Sequence, residues 1–300
     1  MLQRRTDLAL EAREIWESGA EKAERLRGVE SDQTTREGYP VTAVRIVDRE
    51  GQRALGKPIG TYITLELPGL KRREEDAFPR AVRALAAELR QLLPEGCSSV
   101  LVVGLGNRAI TPDNIGPAAV GHTLVTRHLV AQVPAYFGHF RPVTALAAGV
   151  LANTGMESSE LVHAVVEKIR PSCVIAIDAL ASRSLSRVCS TIQLADSGIS
   201  PGSGVGNHRA ALDRETLGVP VIALGVPTVV DAATLCADVL AEAGRGELEP
   251  EALRGAAAGL MVTPRDIDQS VADLSKVIGY GVSLALQEGL TMEEMELLIN

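Results

Sequence analysis

Aromatic residues are scarce in this sequence: one Trp, four Tyr and three Phe make up 3% of 300 residues. A β-sandwich draws on aromatic and β-branched side chains, so the scarcity argues against one, while abundant Ala, Val, Leu and Gly suit helices packed closely on a sheet. Cysteine is also sparse, with Cys97, Cys173, Cys189 and Cys236 only. No CxxC spacing occurs and two of the four lie in apolar runs as small hydrophobes, which excludes a disulfide scaffold and fits a reducing compartment. The five histidines, His122, His128, His139, His163 and His208, contain no HExxH. His122 and His128 would sit ~240° apart on a helix, so they share no metal, and neither a metal nor another cofactor is expected. Missing too is any run of about 20 apolar residues, and the N-terminus becomes charged too soon for a signal peptide. No membrane contact is expected, and the expected location is the cytoplasm. Positive charge is in deficit, 30 Lys and Arg against 38 Asp and Glu for a net −8, which disfavours direct nucleic-acid binding.

What is present is a large apolar share, 46% against 23% charged, enough for a sizeable core and too much for disorder. Apolar groups at helical intervals from Leu8 to Leu26 predict an exposed amphipathic helix. Val41–Val47 and Thr61–Leu67 alternate apolar and polar residues and are expected as antiparallel edge strands. The charged run Lys71–Asp76 suits a solvated helix start. From Ser98 onward, short apolar runs alternate with helical segments, the pattern of βαβ units. Strands are expected at Ser99–Val103, Val143–Ala147, Cys173–Ile177, Thr191–Leu194 and Val221–Leu224. Helices are expected at Pro117–Val130, Ser158–Ile169 and Thr228–Ala243. Gly244–Pro250 suits a surface connection before a closing helix near Gln269–Gln287. The fold class is therefore α/β: one domain with a mostly parallel central sheet flanked by helices and an antiparallel N-terminal addition.

Ligands bind parallel α/β sheets beyond the carboxyl ends of the strands, so residues directly after apolar runs carry the chemical interest. Asp178 ends Val174-Ile-Ala-Ile-Asp178, and Asp113 lies in Gly104-Leu-Gly-Asn107-Arg-Ala-Ile-Thr-Pro-Asp113-Asn-Ile-Gly-Pro117, after Ser99–Val103. A helix N-cap at Asp178 and a turn at Asp113 are the plain structural alternatives. Together the two would share a proton, giving a base to activate water and an acid to protonate a leaving amine. A metal held by the same aspartates and one distant His is a rival chemistry. Gly104 to Ala109 matches the G-x-G-x-x-A dinucleotide fingerprint, but Ile110-Thr-Pro112 cannot open the required helix and no acidic residue ends a second strand ~20 residues on. The turn at Gly104, Gly106 and Asn107 is expected instead to offer backbone N–H groups to a substrate carbonyl or anion.

Asp196 to Arg209 holds four glycines in fourteen residues. It suits a shaped binding loop, with Ser203, Gly204, Gly206 and Asn207 as expected substrate contacts, or else a rigid turn without a ligand. Ser203 with His208 does not make a serine-hydrolase elbow, because Pro201 and Val205 occupy its glycine positions. A non-enzymatic peptide- or anion-binding module built on the glycine loops is the remaining alternative.

Arg5-Thr-Asp7-Leu-Ala-Leu-Glu-Ala12, GLGN with TPDNIGP, Ala176-Ile-Asp178-Ala-Leu-Ala-Ser-Arg-Ser184, Thr191-Ile-Gln193 with Asp196 to Asn207, Gly225-Val-Pro-Thr-Val-Val-Asp231 and Leu260-Met-Val-Thr-Pro264 together resemble the germination (spore) protease family. The resemblance implies an endopeptidase, made as a zymogen, that degrades small acid-soluble spore proteins at germination in the forespore or spore core. It also implies a homotetramer and a fold similar to hydrogenase maturation proteases, of the phosphorylase/hydrolase-like kind. The family's catalytic aspartates fall on Asp113 and Asp178. Thr6-Asp7-Leu8-Ala9 resembles the acidic-then-aliphatic site that the family cleaves, so the Asp7–Leu8 bond is the expected processing site. Residues 1–7 are then a propeptide-like leader to a protease domain over 8–300. The competing structural reading makes Thr6 or Asp7 the N-cap of the following helix.

Overall fold

Uncharged runs such as Val100-Leu-Val-Val and Cys173-Val-Ile-Ala-Ile are stable only where both faces of a strand are covered. In the computed structural model, which describes residues 6–19, 26–202, 209–244, 255, 257 and 259–299, they form the middle of one sheet. Its strands are β1 (Val29–Arg36), β2 (Tyr39–Ile46), β3 (Gly60–Glu66), β4 (Val100–Leu105), β5 (Val143–Gly149), β6 (Cys173–Ser182), β7 (Thr191–Ala195), β8 (Val221–Asp231) and β9 (Met261–Val262). The order is β1-β2-β3-β7-β8-β6-β4-β5, with β9 paired to β8 off this path. Strands β8, β6, β4 and β5 are mutually parallel. The run β1-β2-β3-β7-β8 is antiparallel throughout.

Side chains of period two divide the parallel part between two covered faces. Ile175 and Ile177 of β6 point into a cluster with Leu85 and Leu89 of helix α2 (Ala77–Leu92) and Val277 and Ile278 of a long closing helix. Val174 and Ala176 point the other way, onto Val162 and Val166 of α3 (Ser158–Ile169). A third cluster forms beneath the N-terminal helix α1 (Ala9–Gly19), where Ala9 joins Val44, Ile46 and Tyr62 of the antiparallel strands. The long closing helix, α5, spans Ile267–Leu286. Among the described residues no helix is long and apolar enough to cross a membrane.

Several boundaries depart from the sequence expectation, each for a physical reason. Strands β2 and β3 are not at the edge: β1 covers β2, and β7 pairs with β3. Six of the eight β1 residues are exposed, so it shows no apolar alternation. The helix expected over 117–130 is two short ones, Ile115–Gly121 and Arg127–Gln132. Between them Thr126 fastens the chain to the start of β5, its hydroxyl donating to Arg141 O and accepting from Val143 N–H. Residues 228–231 continue β8, and the helix begins only at Ala232 as α4 (Ala232–Glu242). Asp231 Oδ1 accepts from Thr234 N–H and Oγ1 there, capping α4. Of the exposed run Lys71–Asp76, Lys71 closes the helix Pro68–Lys71 and the rest is a turn leading into α2, with Asp76 at the N-cap position. The amphipathic helix is described from Ala9 to Gly19 only, and all of Gly244–Pro250 except Gly244 lies outside the described residues.

Candidate active site

The pairing of β4 with β6 stops at Gly104 opposite Ile177, while β6 runs on beside β8 to Ser182. Asp178 is thus the first β6 residue past its pairing with β4. Because β6 continues through Ser182, Asp178 caps no helix; that structural alternative is realised at Asp231 instead. The chain leaving β4 folds over this end. Gly106 takes φ +111° and a Cβ there would collide with the Asp113 carbonyl, so only glycine lets the loop close on itself. The turn Thr111–Asp113 is 3-10 helical and brings Asp113 back to the loop's beginning, where Asp113 Oδ2 accepts from Asn107 N–H at 2.8 Å. A backbone N–H that the sequence reading offers to a substrate anion is therefore spent on Asp113 itself. Gly104 serves packing, since a Cβ there would strike the Gly116 carbonyl. The side chain of Asn107 accepts from Ala109 N–H and Asn153 Nδ2.

The two carboxyls meet in an electrostatically hostile place. Asp178 is 5% exposed. Burial pushes its carboxyl well above the ordinary carboxylate range and neighbouring Asp113 adds to the rise, as does Asp7, against the Ala179 N–H and the Arg209 guanidinium. Burial raises Asp113 as well, opposed by the Asn107 N–H and again by Arg209. Burial in low dielectric makes the charged form of each carboxyl costly, and for Asp178 a second carboxylate nearby raises that cost. Arg209, which the sequence reading passes over as the last residue of the glycine loop, is the positive group felt by both. Ser203, Gly204, Gly206 and Asn207 lie outside the described residues, as does His208. Among the described residues no three His, Cys, Asp or Glu side chains converge as a metal cluster.

The segment ahead of α1 runs past the same end of the sheet. Asp7 N–H donates to Ala181 O, and Ala181 N–H donates to Asp7 Oδ2, both at 2.9 Å. Gln193 Nε2 donates to Asp7 O at 3.1 Å, and Ala9 N–H donates to Gln193 Oε1 at 2.7 Å. Leu8 between them is fully buried. Thr6 Oγ1 accepts from Leu8 N–H, ahead of the helix, and donates to Glu11 in its first turn, so the N-cap bond of the competing reading is not what Thr6 makes. Lys57 Nζ lies 3.4 Å from Thr6 O; burial lowers its pKa while Asp7 and Glu11 oppose the fall. Gln193, Lys57 and Glu11 carry no signal in a linear reading, because their partners lie far away in sequence.

Comparison with known families places the chain among peptidases, the family described as germination protease matching residues 9–243. The chain belongs to that family. The germination protease of Caldanaerobacter subterraneus is 45% identical, covering 99% of this chain and 98% of its own. That of Clostridium perfringens is 43% identical with 99% of each chain covered, and that of Bacillus mycoides is 37% identical over 96% and 95%. Among solved structures, a [NiFe] hydrogenase maturation protease from Thermococcus kodakarensis is similar at 16% identity and TM-score 0.37, covering 65% of this chain and 98% of that one.

Proposed function

We propose that this chain is an endopeptidase that opens the degradation of small acid-soluble spore proteins at germination, with Asp113 and Asp178 as a proton-sharing pair. The observation carrying the reading is the buried Asp178 beside Asp113, both raised by burial and the former raised again by its neighbour. Asp178 holds the proton and Asp113, steadied by Asn107 N–H, is the base. A water oxygen attacks the peptide carbonyl carbon while Asp113 takes a water proton, and the C=O electron pair moves to oxygen. Collapse breaks the C–N bond as Asp178 gives its proton to the departing nitrogen, and water plus peptide become acid plus amine. The Arg209 charge, near both carboxyls, steadies the negative charge left on the pair.

The same chemistry acts on the chain itself at Asp7–Leu8, which makes residues 1–7 a leader and the protein a zymogen. Its support is the Asp7 segment pinned at the sheet end where Asp178 lies, with Asp7 among the charges that Asp178 feels. The test incubates wild type, Asp113→Asn and Asp178→Asn with a small acid-soluble spore protein, sequences the fragments, and follows the enzyme's own N-terminus by mass spectrometry. Wild type should cut after an acidic residue and lose residues 1–7, and both variants should do neither. Cleavage should survive a chelator. Turnover by a folded Asp178→Asn protein, or zinc-restorable loss on chelation, overturns the acid pair.

A further inference from the structure

Among the buried polar side chains that the mechanism leaves unused, Gln193 is the one bonded to both sides of Leu8. Gln193 is 7% exposed and its amide makes two hydrogen bonds that bracket Leu8. Nε2 donates to the carbonyl of Asp7 and Oε1 accepts from the N–H of Ala9, the second residue after the Asp7–Leu8 bond. Pairing fixes where this amide stands. Gln193 of β7 is opposite Gly225 of β8, and Gly225 is opposite Asp178 of β6. The three lie in one row across adjacent strands, so Gln193 and Asp178 project from the same face, roughly 10 Å apart at two strand spacings. The residue between them has no side chain, and Leu180 lies against its position. A peptide crossing this row meets Asp178 on one side and the Gln193 amide on the other.

We propose that Gln193 is a substrate-binding catalytic residue: its Nε2 holds the carbonyl oxygen of the bond to be cut and its Oε1 holds the main-chain N–H beyond that bond. The inference rests on reading Asp7–Leu8 as an internal substrate. Ala181 completes the grip, its carbonyl accepting from the Asp7 N–H and its N–H donating to the Asp7 carboxylate. When water attacks, negative charge grows on the carbonyl oxygen, where an N–H is already aimed. Removing one such donor costs about 10²–10³ in kcat in enzymes that use it. Both contacts are to main chain, so the site would accept different residues while fixing which bond is placed at the carboxyls.

The test uses the full chain and two added peptides that contain Thr-Asp-Leu-Ala, the second with N-methylalanine at the last position. Methylation removes the N–H that Gln193 Oε1 accepts and leaves the scissile bond unchanged. Wild type should cut the methylated peptide at least about tenfold more slowly, the worth of one well-placed hydrogen bond. Gln193→Met, close in length and lacking both polar atoms, should lose about 10²–10³ in kcat with little change in KM and no longer distinguish the two peptides. Equal rates on both peptides with wild type overturn the proposal whether or not the variant folds. So does an equal methylation penalty in wild type and a folded Gln193→Met. Asp178→Asn run alongside separates the causes: cleavage persisting there removes the acid pair, whereas cleavage persisting only with the glutamine changed removes the role of Gln193.

Discussion

Asp178 and Glu11 are both carboxyls almost closed off from water, 5% and 1% exposed, yet their surroundings are opposite. Glu11 on α1 receives Arg183 N–H at 2.6 Å, Ser184 N–H at 3.0 Å, the Thr6 hydroxyl, and the Arg187 guanidinium at 3.4 Å. Four donors compensate a buried charge, and α1 is thereby fastened to the chain that follows β6. Asp178 meets the Ala179 N–H and the charge of Arg209, and faces Asp113 and Asp7. Donors surround one carboxyl, whereas other carboxyls face the second. Burial alone does not make a carboxyl reactive; what surrounds it decides whether it anchors or transfers a proton.

The sharpest break of this comparison is to neutralise each member. Asp178→Asn should remove at least about 10²–10⁴ of the rate, because a lone partner cannot serve as both acid and base. Glu11→Ala should instead act on stability. Orphaning the donors around it costs about 1–3 kcal/mol, read as a lower midpoint in urea, while kcat per folded molecule on an added peptide stays near wild type. A kcat loss matching that of Asp178→Asn would erase the distinction between the two carboxyls.

Lys57 tests a finer point, since it faces Asp7 and Glu11 together. Lys57→Met should reduce the preference for Asp over Asn before the scissile bond by about tenfold, the order of a close charge pair at an interface. Competing peptides followed by mass spectrometry would measure it, and an unchanged preference would assign Lys57 to fastening α1 alone.

The smallest effect is on stability against pH. A carboxyl raised in the folded state above its ordinary 3.8 binds its proton more tightly when folded. Its contribution to stability is then complete below that value and is lost as pH rises through the raised folded value. Asp178→Asn, neutral at every pH, should therefore melt a few degrees above wild type at neutral pH, and the gap should close on acidification. The groups that set this window are Asp113, Asp7, Arg209 and the Ala179 N–H. Thermal melts across pH would check it, and a constant gap would assign the effect to something other than this proton.

Much of the chain after Ser98 was legible because its signals are local. The helix over Ser158–Ile169 and the starts of β5, β6, β7 and β8 follow from apolar periodicity and the residues that interrupt it. Asp113 and Asp178 stood out because a carboxylate after an apolar run is unusual. β1 escaped because its exposed polar residues look like a loop until β2 is beside them. The split at His122–Thr126 escaped because the Thr126 hydroxyl bonds the chain fifteen and more residues on. Arg209 escaped because its effect on the two carboxyls depends on how the glycine loop returns to the sheet.

By itself the sequence determined an α/β chain, singled out two aspartates after apolar runs, and carried motifs that resemble one protease family. These follow from short-range chemistry: which residues tolerate burial, which turn a chain, and which cap a helix. Only the tertiary structure decided that Asp113 would fold back onto Asn107, that β7 would lie antiparallel beside β8, and that Gln193 would share a row with Asp178. Those outcomes depend on strand order. Pairing distant segments brings together polar groups that carry no mutual signal along the chain, and their energies arise only once the intervening water has been removed.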